Sequence, residues 1–145
     1  MNNYSTQIIM FITMIVIGML FNPMNMLAYR VNDFYISLTL FYGGLLMASN
    51  MIWGHEIVHY LSMGMFDKKS FFIGIALSIS VVYLLREQLY VSDEQWLKRM
   101  ISHHSTALTS SHKIHKRTKN KKLKKLAKDI IDTQEYEIKL MKSML

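Results

Sequence analysis

The sequence predicts an all-α protein: three transmembrane helices followed by a C-terminal antiparallel helical hairpin. Three observations carry this. Charged side chains are absent from three long stretches, 1–29, 34–54 and 70–85. The segment from Arg86 to Leu145 holds most of the charge. Within that segment, apolar residues recur at three- and four-residue steps. A single soluble globule does not fit, because the polar remainder is too short to cover three helices that are apolar all round. Residues 1–90 therefore read as a transmembrane domain and residues 91–145 as a hairpin domain.

A crossing needs roughly 20 apolar residues for about 30 Å of hydrocarbon. The first expected span covers about 6–27 and runs past Asn22-Pro23, since a membrane helix tolerates proline. It lacks a basic leader and a small-x-small cleavage site, so it reads as a retained helix rather than a secretory signal. The second covers about 34–54. The third covers about 70–88, with Arg86 and Glu87 at the interface, where an arginine can extend its charge into water. The polar groups Arg30-Val31-Asn32-Asp33 and Asp67-Lys68-Lys69-Ser70 read as the intervening turns.

Ser92 reads as the cap of the next helix, with Gln95 three residues on and Asp93 and Glu94 in the first turn, where the helix dipole favours acids. That helix is expected from Asp93 to about Arg117, with an apolar stripe of Trp96, Leu97, Met100, Ile101, Ala107, Leu108 and Ile114. Thr118-Lys119-Asn120 reads as a turn. The last helix is expected over about 121–144, with Leu123, Leu126, Ala127, Ile130, Ile131, Ile138 and Met141 inward. A short link between two amphipathic helices makes them antiparallel neighbours. Such a hairpin has little core of its own. It must pack on the membrane part or on a second copy, and a homodimer or higher oligomer completing a four-helix bundle is the simplest solution.

Folding the hairpin about Lys119 brings His103 and His104 opposite Gln134 and Glu135, with Glu137 at most one helical turn away, and Met100 opposite Ile138 and Met141. His112 and His115 continue along a neighbouring face at helical steps. Imidazole suits copper, zinc, iron or nickel, and thioether shifts the preference toward Cu(I). Adjacent histidines on a helix diverge by about 100°, so at most one of the pair faces inward. The chain has 13 methionines and no cysteine. Disulfides and thiolate metal sites are thereby excluded, and most of the methionines lie in apolar stretches, where packing alone accounts for them.

The stretch MISHHSTALTSSHKIH followed by LAKDIIDTQEYEIKLM resembles the DUF305 family, which includes CopM-like copper-binding proteins. The carrying residues are Met100, His103, His104 and Ala107 on one helix, and Gln134, Glu137, Ile138 and Met141 on the next. The resemblance covers about 93–144 and implies a ferritin-like helical hairpin or bundle. It also implies copper bound by His103, His104, Met100, Glu137 and Met141, with Gln134, His112 and His115 around them. The three preceding spans are similar to those of membrane-anchored members. Many members carry a methionine seven residues after the first histidine of the pair, where this chain has Ser110, so one thioether is lost.

A second pattern competes. His55-Glu56-Ile57-Val58-His59 fits His-Glu-x-x-His, in which two histidines share a helix face and can hold zinc while Glu56 acts as a general base. A membrane peptidase of that kind needs a third ligand, and Asp33, Asp67 and Glu87 are poorly placed for the role. The basic run from Lys113 to Lys128 could meet anionic lipid or nucleic acid. No aromatic residue interleaves with it to stack on bases, so no nucleic-acid partner is expected. It reads as a hydrated hairpin tip.

The reading from sequence is an integral, multi-pass protein in the lipid bilayer whose hairpin binds a transition metal, copper first and zinc as the alternative, for sequestration or hand-over. No reaction is required. A structural or scaffolding membrane protein and a zinc peptidase are the competing readings. Loop charge does not resolve the orientation and leans slightly toward a cytosolic hairpin, since Lys68 and Lys69 are outnumbered by Arg30, Arg86, Lys98 and Arg99. The family resemblance implies a periplasmic, lumenal or exterior hairpin.

Overall fold

The computed structural model describes residues 3–145, and every described helix or turn is helical, with no strand. The helices are α1 (Asn3–Leu20), α2 (Pro23–Met26), α3 (Leu38–Met63), α4 (Lys68–Arg86), α5 (Asp93–Arg117) and α6 (Lys121–Lys142), with one 3-10 turn at Val31–Asp33. They fall into two compact units. One contains residues 1–20 and 38–90, the other residues 21–37 and 91–145.

In the first unit α1 packs on α3 and α3 on α4. Glycines set these contacts. A Cβ added at Gly44 would lie 2.7 Å from the Ile15 carbonyl oxygen, and one at Gly18 would lie 2.9 Å from the Gly44 Cα. A Cβ at Gly74 would lie 2.9 Å from the Trp53 backbone nitrogen. Backbone thus approaches backbone where no side chain intervenes. Ser49 and Ser78 are buried and donate to the carbonyls of Leu45 and Gly74, one turn back. The Tyr42 hydroxyl donates to the Leu89 carbonyl at 2.8 Å and ties down the chain after α4.

Two stretches are long and apolar enough to cross a membrane, Ser5–Met26 and Lys68–Arg86. The expected middle span at 34–54 does not join them. Its helix, α3, begins later and runs on to Met63. Ser49, Asn50, His55, Glu56 and His59 dilute its apolar character. The expected first span, about 6–27, coincides with Ser5–Met26, although its helix is interrupted within that stretch. α1 stops at Leu20, and Asn22 restarts the chain as the cap of α2, its side chain accepting the Asn25 N–H at 3.0 Å with Pro23 in the first turn.

In the second unit α5 and α6 form an antiparallel hairpin. Ser92 caps α5 through the Gln95 N–H, and Asn120 caps α6 through the Lys122 and Leu123 N–H groups. Ile101, Leu108, Ile131, Ile138 and Met141 form the core, with Tyr35, Leu97 and Met100 against it. The apolar stripe inferred from spacing is too generous at its ends, where Trp96, Leu123 and Leu126 are exposed.

The hairpin also has a companion within its own chain, the segment 21–37. Asp33 is fully buried, and its carboxylate accepts the Ser105 hydroxyl at 2.8 Å and the Lys142 ammonium at 2.5 Å. The Ser102 hydroxyl donates to the Asp33 carbonyl at 2.9 Å and accepts the Tyr35 N–H at 3.2 Å. Ser105 Oγ accepts the Tyr29 N–H, and Thr106 donates to the Met24 carbonyl, each at 2.8 Å. Arg30 pairs with Glu135 at 2.8 Å. Residues 30–33, which read as a simple turn, are a clamp on one face of α5.

Candidate functional site

His104 lies sixteen residues before Asn120 and Glu137 seventeen after it, so antiparallel folding sets them opposite each other. His104 Nε2 stands 2.9 Å from Glu137 Oε2, and the Gln134 side-chain amide donates to the same oxygen at 3.4 Å. His104 Nδ1 is 2.8 Å from the Met100 carbonyl. A carbonyl can only accept, so Nδ1 carries a proton. Both ring nitrogens therefore face acceptors.

His104 is buried and His103 is exposed. Their rings meet edge to face at 5.9 Å. Burial, then the charges of His104 and Arg99, hold the His103 imidazole below its ordinary pKa and favour its neutral form. Burial likewise lowers the Arg99 guanidinium, which stays charged. Met141 is part of the hairpin core, and Met100 packs against that core.

The other histidines on α5 have different company. The His112 ring stacks on Tyr29, with centroids 4.8 Å apart. His115 Nδ1 lies 3.1 Å from the Lys124 carbonyl. Among the described residues, no group of three or more His, Asp or Glu side chains is gathered to hold a metal ion.

The His55–His59 pattern occupies α3. The two rings stack at 5.7 Å beside a pocket of about 330 Å³ lined also by Glu56, Met65, Phe66 and Asp67. Glu56 is buried, and its Oε2 accepts the Asp67 N–H at 3.0 Å. Asp67 in turn spends one oxygen on the Lys69 N–H and the other on the Ser70 hydroxyl, both at 2.9 Å. Asp67 is committed to capping α4. In this arrangement Glu56 fastens the α3–α4 turn.

Residues 80–145 match the family model described as "Domain of unknown function (DUF305)". The chain belongs to the DUF305 family. It is 41% identical over all 145 residues to "Uncharacterized protein L153" of Acanthamoeba polyphaga mimivirus, covering 93% of that protein. No solved structure matches the chain. The matched region contains α5 and α6 entire, and with them His103, His104, Gln134 and Glu137.

Sequence reasoning missed Asp33, Ser102 and Ser105. A signal was present: Ser102, Ser105, Thr106 and Thr109 recur at helical spacing on α5. On α5 three of these hydroxyls, Ser102, Ser105 and Thr106, meet the 21–37 segment.

Proposed function

We propose that this DUF305 protein is a membrane-held metal-binding protein, taking up copper at His104 for sequestration or hand-over. The supporting observation is the Nδ1–H donation from His104 to the Met100 carbonyl. That bond is the usual outer support of a metal-binding imidazole, and it leaves Nε2 as the ligand atom. There Nε2 meets the Glu137 carboxylate. A metal ion would take the place of the Nε2 proton. His104, Glu137, neighbouring His103 and the thioethers of Met100 and Met141 would supply its donors. When bound, copper would bring one-electron chemistry, while the protein side chains orient and shield it.

The donor set fits copper better than zinc. A zinc site takes three or four nitrogen, oxygen or thiolate ligands. The hairpin brings one imidazole and one carboxylate together, with Met141 in its core and Met100 packed against that core, and thioether donors would shift such a set toward Cu(I). Gln134 would hold the carboxylate through its amide.

The membrane half of the proposal rests on exposed apolar surface. The stretches Ser5–Met26 and Lys68–Arg86 are only 6% and 22% buried. Core helices of a water-soluble protein bury their apolar residues, so lipid is the solvent that fits these helices. We place the hairpin on the periplasmic, lumenal or exterior side. The chain has no native thiol, so a cysteine introduced as Thr118→Cys reports that side by its reaction with an impermeant reagent.

Metal analysis of purified full-length protein tests the metal half. The expected result is one copper per chain, lost in His104→Ala and retained in His115→Ala. Absence of stoichiometric metal would leave the scaffolding reading, which the complete hydrogen bonding of His104 favours. Zinc that persists in the His103→Ala/His104→Ala double variant would point to His55 and His59 instead.

A further inference from the structure

We infer that a second site, separate from the metal reading, binds a phosphate-class oxyanion between α5 and the loop after α2. Thr109, His112, Lys113 and Lys116 stand at positions i, i+3, i+4 and i+7, on one stripe of α5. With Ala28 and Tyr29 they line a pocket of about 340 Å³. This is within the size range of small-ligand sites and larger than a phosphate group requires.

The wall is built rather than incidental. Tyr29 lies face to face with the His112 ring, at an interplanar angle of 15°. The Tyr29 backbone is itself fixed by its N–H bond to Ser105. Both walls are therefore held before any ligand arrives.

The polar groups of the stripe are unused. His112 Nε2 and Thr109 Oγ1 are buried and have no hydrogen-bond partner. Neighbouring side chains on the same helix behave differently. Thr106 donates to the Met24 carbonyl, and Ser110 donates to the Ala107 carbonyl. His104 uses both nitrogens, and His115 faces the Lys124 carbonyl. Buried polar atoms in native proteins are nearly always satisfied, so water or a ligand belongs here.

The charge of the lining selects among ligands. Lys113 and Lys116 contribute two ammonium groups, and no carboxylate lines the pocket. A multiply charged oxyanion, with several acceptor oxygens, matches two ammonium donors, a hydroxyl and an imidazole N–H. Phosphate has that chemistry, either free or as the headgroup of an anionic lipid.

The experiment uses full-length protein in detergent with two probes: inorganic phosphate and a short-chain phosphatidic acid. Calorimetry should show saturable binding at one site per chain. The Lys113→Gln/Lys116→Gln variant should weaken it by about tenfold or more. The Lys121→Gln/Lys122→Gln variant removes the same charge outside the pocket and should leave it unchanged. A tighter affinity for the lipid identifies a headgroup as the source, and equal affinities identify the free anion; either supports the site. A wild-type readout guards against misfolded variants: phosphate should shift the His112 ring resonances and leave those of His104 in place. No saturable binding, equal losses in the two double variants, or an unmoved His112 would each overturn the inference. Copper content plays no part in any of these readouts.

Discussion

Ile101 and Leu108 on α5 are fully buried, whereas Ile8 on α1 and Phe72 on α4 are 60% and 64% exposed. The hairpin unit buries a continuous apolar stripe between α5 and α6 and fixes several polar side chains in pairs. The α1–α3–α4 unit turns its apolar side chains outward and brings helices together at Gly18, Gly44 and Gly74. The two units thus bring their helices together by different means, one through interlocking apolar side chains and the other through glycines. Charge count alone does not make the distinction. What separates the units is where leucine-like surface goes and what fills the contact between helices.

The largest expected disturbance comes from the polar clamp. Asp33→Ala removes a fully buried carboxylate and leaves Lys142 and Ser105 without their partner. The hairpin unit should lose about 3 kcal/mol. Trp96 lies in α5 and Trp53 in α3, so a Trp53→Phe background lets Trp96 fluorescence follow the hairpin during denaturant unfolding. A loss below about 0.5 kcal/mol, the range of an ordinary surface change, would mean that segment 21–37 does not hold the hairpin.

A smaller effect is expected from Gly44→Ile, which forces side-chain atoms against the Ile15 carbonyl and Met19. Overpacking of this kind costs about 1–3 kcal/mol. In a Trp96→Phe background, Trp53 fluorescence should report a weakened first unit in detergent. The hairpin, followed by Trp96 in the other background, should unfold as before. Equal loss in both would show that the two units do not answer to separate packing rules.

The smallest effect concerns pH. His103 is held below its usual pKa of 6.5, so the unfolded chain binds its proton more readily than the folded one. Its contribution to stability is present above pH 6.5 and is lost as pH falls through the depressed value. In metal-free protein, His103→Gln should flatten the pH dependence of hairpin unfolding between pH 7.5 and 5. A steeper dependence in the variant would contradict the assigned sign.

Local signals made the hairpin legible in the sequence. Ser92 and Asn120 each place a side-chain acceptor where a helix begins, and the spacing of Ile101, Leu108, Ile131 and Ile138 fixed both faces. Antiparallel counting then brought His103 and His104 to the neighbourhood of residues 134–137, and the structure picks Glu137 as the partner of His104. The apolar helices were less legible, because composition suggests where lipid could lie but not where a helix stops. α3 continues through His55 and Glu56 to Met63, and α1 ends before Pro23 because Asn22 starts a new turn. Least legible were the contacts of Asp33 with Ser105 and Lys142, which join residues 72 and 109 positions apart. No local pattern announces such a pairing.

The clamp by segment 21–37 bears on how the family-matched region can be studied in isolation. A shortened protein beginning near residue 80, where the family match starts, would keep α5 and α6 but shed Asp33, Tyr35 and the Met24 carbonyl. Ser102, Ser105 and Thr106 would then be stripped of the acceptors and donors that now meet them. Such a fragment would need a synthetic peptide of residues 21–37 supplied in trans to regain the hairpin's native fit.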